Sequence, residues 1–250
     1  MSPYLKIFIL IGALLFASAE ASAQGVIDEE SKILFRNEKS YGVTLNTNGW
    51  GAGYRFGKRI NARKKWLFEG DINYMKHPKE RKDFNYYSTS FSRFVYGKTN
   101  AAVNLRFGIG RQNELFEKFD KSSISVRFVW NVGLSSVFLK PIYYKILEDE
   151  FFVVKKYEEG IPFFYIWERA PFYKGLNEIR VIPGGFAKAG MSFEFSKTDK
   201  KLNILETGLF LEAYPNRIEI MANDMNQFLI AGVYFSFRFG KVESSYHIEE

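Results

Sequence analysis

Apolar and polar residues alternate one by one through two neighbouring segments in the middle of the chain. The first segment sets an apolar series against polar residues and glycines: Ala101, Val103, Leu105, Phe107 and Ile109. The second segment repeats the pattern: Ile124, Val126, Phe128, Trp130 and Val132. Successive side chains of a β-strand point to opposite faces, so each segment predicts a strand with one apolar and one polar face.

Similar segments recur along most of the chain and predict ten strands. We place them over 40–48, 50–59, 65–75, 88–98, 101–111, 122–132, 135–145, 183–196, 202–214 and 226–239. Asn48-Gly49 predicts a tight hairpin, and longer links are predicted over 76–87, 112–121, 146–182 and 215–225. Even strand numbers with links of unequal length are typical of an all-β, closed antiparallel transmembrane β-barrel with up-and-down topology. Eight and twelve strands remain alternatives.

The first 23 residues predict a secretory signal peptide. Lys6 precedes an apolar run over 7–17, and Ala21-Ser22-Ala23 supplies a cleavage site before Gln24. The apolar run is too short to cross a bilayer as a helix, and an uncleaved anchor is the alternative. We therefore predict a signal peptide over 1–23, a periplasmic lead-in over 24–39, a barrel over 40–239 and a C-terminal tail over 240–250. The predicted location is the outer membrane of a Gram-negative bacterium.

Composition and charge narrow the class of protein further. Aromatic residues make up 18% of the chain, while the mean hydropathy is only −0.20. Transmembrane barrels combine these values because they carry aromatic girdles outside and polar residues inside. The chain has no cysteine, which excludes disulfides and thiolate metal sites, and we expect neither metal nor cofactor. The net charge of +7 favours anionic glycolipid as a partner, because the export signal argues against nucleic acid.

The last predicted strand carries a resemblance to a known class. One face is apolar and ends at Phe239, and the other carries Tyr234, Ser236 and Arg238. In this strand the chain resembles bacterial outer-membrane β-barrel proteins, whose terminal strand usually ends in an aromatic residue recognised by the insertion machinery. The tail after Phe239 departs from that pattern. The segment Tyr74–Glu80 is similar to one in uncharacterised barrel proteins of Bacteroidota, which have no established activity to carry over.

Ten charged residues lie on the predicted inward faces of the strands. They are Arg55, Glu69, Asp71, Arg106, Arg127, Lys188, Glu194, Glu206, Glu212 and Arg238. Lone charges in a narrow lumen would be costly, so the five bases and five acids are expected to pair. A barrel of eight to ten strands can be filled by such side chains. We therefore favour a plugged lumen over the alternative of a small, porin-like pore for solutes.

His77 is the strongest candidate for catalysis. Glu80 follows it closely, Glu69 and Asp71 lie on the preceding strand, and Ser88 and Ser90 open the next one. A serine, a histidine and an acid could form a hydrolytic site. We favour the simpler interpretation, in which Pro78 turns a solvated loop corner. The chain is therefore predicted not to be an enzyme, with a barrel hydrolase as the alternative.

Two features predict contacts outside the barrel. The link over 146–182 is aromatic, with a patch predicted from Phe163, Phe164, Tyr165, Trp167, Phe172 and Tyr173. Such a loop is expected to cover the barrel mouth, enter the outer leaflet or bind an envelope protein. A basic rim is predicted from Lys76, Lys79, Arg81 and Lys82. It would face outward and contact outer-membrane lipid and glycolipid, or simply be solvated.

Alternation alone leaves one inversion open. In a soluble exported β-sandwich or a lipocalin-like barrel, the apolar faces would form an interior, and Arg106, Arg127 and Arg238 would point outward. Continuous apolar faces on nearly every strand favour lipid. The predicted function is that of a structural or interaction component of the cell envelope.

Overall fold

A computed structural model describes residues 36–61, 63–87, 92–118, 123–148, 151–196, 201–222 and 226–244. They belong to one compact unit, Leu34–Glu250, and form thirteen strands and two short 3-10 helices. The strands are β1 Arg36–Asn46, β2 Gly49–Arg59, β3 Lys64–Met75, β4 Lys82–Phe84, β5 Arg93–Val95, β6 Asn100–Phe116, β7 Ser125–Pro141, β8 Tyr143–Glu148, β9 Phe151–Lys156, β10 Ile166–Arg169, β11 Arg180–Glu194, β12 Lys201–Ala213 and β13 Leu229–Ser244. The helices are Phe163–Tyr165 and Leu176–Glu178.

Eight of these strands form a closed antiparallel barrel. Their order around the barrel is β1-β2-β3-β6-β7-β11-β12-β13, and β13 pairs back onto β1 with Phe239 opposite Tyr41. The predicted fold class is confirmed. Ten strands is wrong as a count, and eight, the smaller alternative, is the number present. No helix in the described part of the chain is long and apolar enough to cross a membrane.

Two differences in the strands account for the change in number. The segments predicted over 122–132 and 135–145 form one continuous strand, β7. Gly133, where we divided them, lies within β7, and a Cβ atom there would lie 2.1 Å from the carbonyl oxygen of Phe107. The glycine therefore permits close strand packing instead of a turn. The segment predicted over 88–98 contributes only β5 outside the barrel, while β6 continues to Phe116.

The links divide the barrel into two unlike ends. The turn end carries the links between β2 and β3, between β6 and β7, and between β11 and β12. The other end carries the tight hairpin at Thr47-Asn48 and three longer links, 76–99, 142–179 and 214–228. We call the described residues of these three links the cap. The link over 146–182 was expected to be mostly loop, but it contains a three-stranded sheet in the order β10-β8-β9, and β4 pairs with β5 nearby.

The boundaries of the predicted segments also shift. β1 begins at Arg36, so 36–39 belongs to the barrel and not to the lead-in, and β13 runs five residues beyond Phe239 to Ser244. The predicted signal peptide, the rest of the lead-in and the end of the tail, 245–250, lie outside the described residues, and the signal peptide stays a prediction.

Two apolar clusters hold the cap end together. The first lies in the barrel mouth, where Met75 and Leu139 of the strands pack with Ile218, Ile220 and Met221 of the third long link. The second lies within the cap and consists of Phe94, Ile142, Tyr144, Ile146 and Ile166. Burying these side chains anchors the links, because apolar surface removed from water contributes roughly 25 cal/mol per Å².

Candidate functional site

The outward face of the barrel is apolar on every side. Large apolar side chains are exposed there on all eight strands; among them are Tyr41, Val43, Trp50, Tyr54, Phe68, Ile72, Phe107, Ile109, Val132, Leu134, Val181, Leu205, Leu209, Phe235 and Phe237. The inversion that would place these faces in an interior is therefore wrong. Soluble monomers rarely expose contiguous apolar patches larger than a few hundred Å², so a band around the whole barrel indicates an apolar surrounding.

The ten charged residues predicted to face inward are all buried inside the barrel. Glu69 of β3 is the centre of one group, and it contacts three cations from three other strands. The distances from its carboxylate are 3.1 Å to Arg55 Nη2, 2.8 Å to Lys188 Nζ and 3.0 Å to Arg238 Nη1. The side chain of Asn131 donates a further hydrogen bond of 2.9 Å.

Neighbouring carboxylates extend this group along the barrel. Glu206 accepts hydrogen bonds from Arg55 Nη1 at 2.6 Å and from the Tyr234 hydroxyl at 2.8 Å. Towards the cap end, Arg106 lies 3.6 Å from Asp71 and 3.0 Å from Glu212. Charged hydrogen bonds of this kind offset the cost of removing each ion from water.

A second group of charges fills the turn end and includes residues that the sequence analysis missed. Arg127 forms ion pairs with Glu194, Glu38 and Glu114. Glu38 also pairs with Lys65, and Glu194 with Lys118. Glu38 and Glu114 have the inward parity of their strands, so alternation could have found them if β1 and β6 had been extended far enough.

The interior charges balance, and little space remains between them. Ion pairs join seven bases and seven acids: Arg55, Lys65, Arg106, Lys118, Arg127, Lys188 and Arg238 with Glu38, Glu69, Asp71, Glu114, Glu194, Glu206 and Glu212. The cavity beside Arg106, Glu206 and Arg238 measures about 10 Å³, close to the minimum for one water molecule. The apolar cluster in the mouth lies above it. This arrangement blocks the passage of solutes.

The residues proposed for catalysis do not assemble. The Nδ1 atom of His77 accepts a hydrogen bond of 3.2 Å from the backbone N–H of Lys79. The Glu80 carboxylate instead accepts from the backbone N–H of His77 and forms an ion pair of 2.7 Å with Lys98. Glu69 is bound within the barrel, and Ser88 and Ser90 lie outside the described residues. His77 is therefore part of a loop corner, held by Glu80 as a backbone acceptor.

The described residues also lack a group of three or more histidine, aspartate or glutamate side chains that could hold a metal ion.

The predicted aromatic patch is divided between the core and the surface of the cap. Phe163 stacks on Phe94 with ring centroids 5.3 Å apart, and Trp167 packs against Phe152 at 5.2 Å. The other four residues of the patch are exposed: Phe164, Tyr165, Phe172 and Tyr173. The buried side chain of Asn85 donates to the carbonyls of Phe164 and Ile166, both at 2.9 Å. The first long link thus holds the second in place.

Polar contacts within the cap reinforce this packing. Burial raises the pKa of the Tyr144 hydroxyl, which keeps it protonated as a donor 2.9 Å from the carbonyl oxygen of Lys98. Hydrogen bonds from Lys156 and Tyr143 lower the pKa of Glu178, so this carboxylate stays charged. Beside them lies an open cleft of about 640 Å³ lined by charged and polar residues.

All four residues of the predicted basic rim are exposed at the cap end: Lys76, Lys79, Arg81 and Lys82. None of them forms an ion pair with a described residue. The rim is thus a positively charged surface beside the apolar band. The other basic cluster, around Lys58 and Lys65, lies at the turn end, where Lys65 is occupied by Glu38.

Comparison with known proteins yields two distant structural similarities. No protein-family model matches the chain, and no curated protein matches it. Neisserial surface protein A (NspA) is 8% identical, with a TM-score of 0.41 over 83% of this chain and 96% of that one. Ail, the attachment invasion locus protein of Yersinia pestis, crystallised with the heparin analogue sucrose octasulfate, is 8% identical, with a TM-score of 0.42 over 84% and 100%. The resemblance to Bacteroidota barrels stays a prediction.

Proposed function

We propose that this chain is an integral outer-membrane barrel that acts as a closed structural or interaction component of the cell envelope. One observation carries the proposal: all eight barrel strands expose apolar side chains outward and direct polar or charged ones inward. In lipid every backbone group needs a partner within the protein, and a closed barrel provides one without an open sheet edge. An apolar band in water would instead favour aggregation.

The closed interior supports an interaction role over a pore. Seven acids neutralise seven bases inside the barrel, and the apolar cluster in the mouth adds a second barrier. A pore would need a continuous water-filled path, and a cavity of about 10 Å³ does not supply one. Hydrolysis has no assembled site among the described residues to support it.

The cap is the part of the chain suited to contacts with envelope partners. It presents exposed aromatic rings such as Phe164 and Phe172, together with the basic rim. Basic side chains beside a lipid surface bind phosphate groups through charge-assisted hydrogen bonds, so the rim suits the phosphates of outer-membrane glycolipid. The aromatic surface suits a protein partner that approaches the link over 146–182.

Fractionation of cells that produce the full chain tests the location. We expect the protein in the outer-membrane fraction, where it resists extraction by salt. Unheated samples should migrate differently from boiled samples on a detergent gel, because a closed barrel stays folded without heating. Recovery of the protein in the soluble periplasmic fraction would contradict the proposal.

Planar bilayers test the closed lumen. Purified folded protein should give no stepwise conductance, while a porin in the same bilayer gives discrete steps as the positive control. Reproducible steps from the folded protein would replace the proposed role with that of a small pore, while leaving the membrane location intact.

A further inference from the structure

The cap sheet has one free edge, formed by β9. This strand pairs with β8 from Tyr143 opposite Lys156 to Glu148 opposite Phe151. β10 covers the other side of β8, so β9 is the outer strand of the sheet. Among the described residues, β9 has no second strand beside it. A free strand edge offers a row of unused N–H and C=O groups.

The pairing identifies which backbone groups face the free edge. The carbonyl of Tyr143 accepts a 2.8 Å hydrogen bond from Ala170 on the β10 side of β8. Residues of a strand direct their backbone groups alternately to one side and the other, so Tyr143 does not bond to β9. Its partner Lys156 therefore directs its backbone groups to the free edge, and so do Val154 and Phe152.

The side chains of β9 leave this edge open. Exposed fractions are 76% for Phe151, 48% for Phe152, 40% for Val153 and 43% for Val154. These four apolar residues contain no proline or glycine and carry no charge. Lysines, prolines and bulges are the features that usually protect an edge strand, and only Lys155 and Lys156 at its end serve that purpose. An exposed apolar edge of this kind favours the addition of another strand.

We propose that the free edge of β9 pairs with β9 of a second copy of this chain, antiparallel about a two-fold axis. The charge pattern of the sequence supports self-pairing. Three acidic residues stand at 148–150, directly before Phe151, and Lys155 and Lys156 close the strand. An antiparallel partner brings the basic end of each strand beside the acidic end of the other. Such self-complementarity is what a two-fold interface requires.

The direction of the backbone groups also sets the register. Hydrogen-bonded pairs must join residues that face the edge in both copies, so Phe152 of one copy lies opposite Val154 of the other. Val153 then lies opposite Val153 of the second copy, in a pair without hydrogen bonds, whose Cα atoms are about 4.5 Å apart. This register places the basic end of each strand beside the acidic residues of the other copy. The interface lies in the cap, apart from the apolar band.

Cysteine cross-linking tests the pairing and its register. The chain has no cysteine, so Val153→Cys introduces a single thiol in each copy. In folded protein at the cell surface, mild oxidation should give a covalent dimer, because the two Cβ atoms fall within disulfide range. The matched control is Val154→Cys, whose two copies lie on a diagonal about 7–8 Å apart and should cross-link at least tenfold more slowly. Equal rates, or no dimer with Val153→Cys, would overturn the proposed register.

A proline substitution tests the hydrogen bonds of the free edge. Val154→Pro removes one donor that faces the second copy and leaves the bonds between β8 and β9 intact. We expect full-length wild-type protein in mild detergent to sediment as a dimer, Val154→Pro as a monomer, and the control Val154→Thr as a dimer. A monomeric wild type, or a Val154→Pro dimer as stable as wild type, would overturn self-pairing. Heat-dependent gel migration of the same samples reports the barrel separately, so failure of the pairing is distinguishable from failure of the proposed membrane location.

Discussion

Removing the negative charge of Glu69 should destabilise the barrel more than any surface substitution. Glu69 is buried, and its carboxylate contacts Arg55 at 3.1 Å, Lys188 at 2.8 Å and Arg238 at 3.0 Å. Glu69→Gln keeps the size of the side chain but leaves one uncompensated positive charge in the interior. Breaking a buried ion pair on one side costs about 3–5 kcal/mol. Arg55 keeps Glu206, and Lys188 keeps Asp71, so the lower part of this range is expected.

The matched control is Glu243→Gln, which makes the same chemical change in an exposed ion pair. Glu243 lies 2.8 Å from Lys39, and the two side chains are 53% and 44% exposed. Such pairs contribute about 0–1 kcal/mol. Unfolding by urea in lipid vesicles, followed by tryptophan fluorescence and gel migration, gives the free energy of unfolding of both variants. If Glu69→Gln were no less stable than Glu243→Gln, the interior charges would not form a coupled network.

A second substitution keeps this prediction testable if Glu69→Gln folds poorly. Lys188→Met removes one of the three cations around Glu69 and so relieves the excess positive charge of the first variant. The double variant should therefore be more stable than the sum of the two single effects predicts. Coupled residues in one network show interaction energies of about 0.5–3 kcal/mol. Simple additivity would show that the two side chains act independently.

Three further substitutions probe other parts of the account. Arg106→Leu leaves Glu212 buried without its cation and should lower the free energy of unfolding by about 3 kcal/mol or more, measured in the same urea assay; a change below about 1 kcal/mol would contradict the pairing. Gly133→Val should abolish heat-dependent gel migration, since its Cβ would lie 2.1 Å from the carbonyl oxygen of Phe107. His77→Ala should change the free energy of unfolding by less than about 0.5 kcal/mol and alter no activity on a lipid and peptide panel; loss of a hydrolytic activity would restore the catalytic hypothesis.

The inward and outward faces of the strands could be predicted from the sequence because strand periodicity is a local property. Arg106, for example, was assigned inward from its immediate neighbours alone. Its partners were expected among Glu69, Asp71, Glu206 and Glu212, and the structure selects Asp71 and Glu212. That selection depends on the register of strands far apart in the chain, which alternation does not specify.

The strand number and the turn-end charges could not be predicted for a related reason. Gly133 suggested a break, yet it lies where β7 and β6 approach closely, and only the neighbouring strand shows this. The sheet in the cap was missed because its core forms between links that are distant in sequence, such as Phe94 with Ile166. Glu38 was assigned to the lead-in because no residue near it in sequence identifies Arg127 and Lys65 as its partners.

The claim that the outward face lies in lipid can be measured directly with nitroxide labels. Single cysteines at Ile109, Leu209 and Phe237 place one label on each of three barrel strands in a chain without other cysteines. In membranes, labels in the bilayer are reached by oxygen, which dissolves in lipid, and are shielded from hydrophilic nickel complexes. We predict greater relaxation by oxygen than by the nickel complex at all three positions. Greater relaxation by the nickel complex would place the apolar faces in water and contradict the membrane barrel.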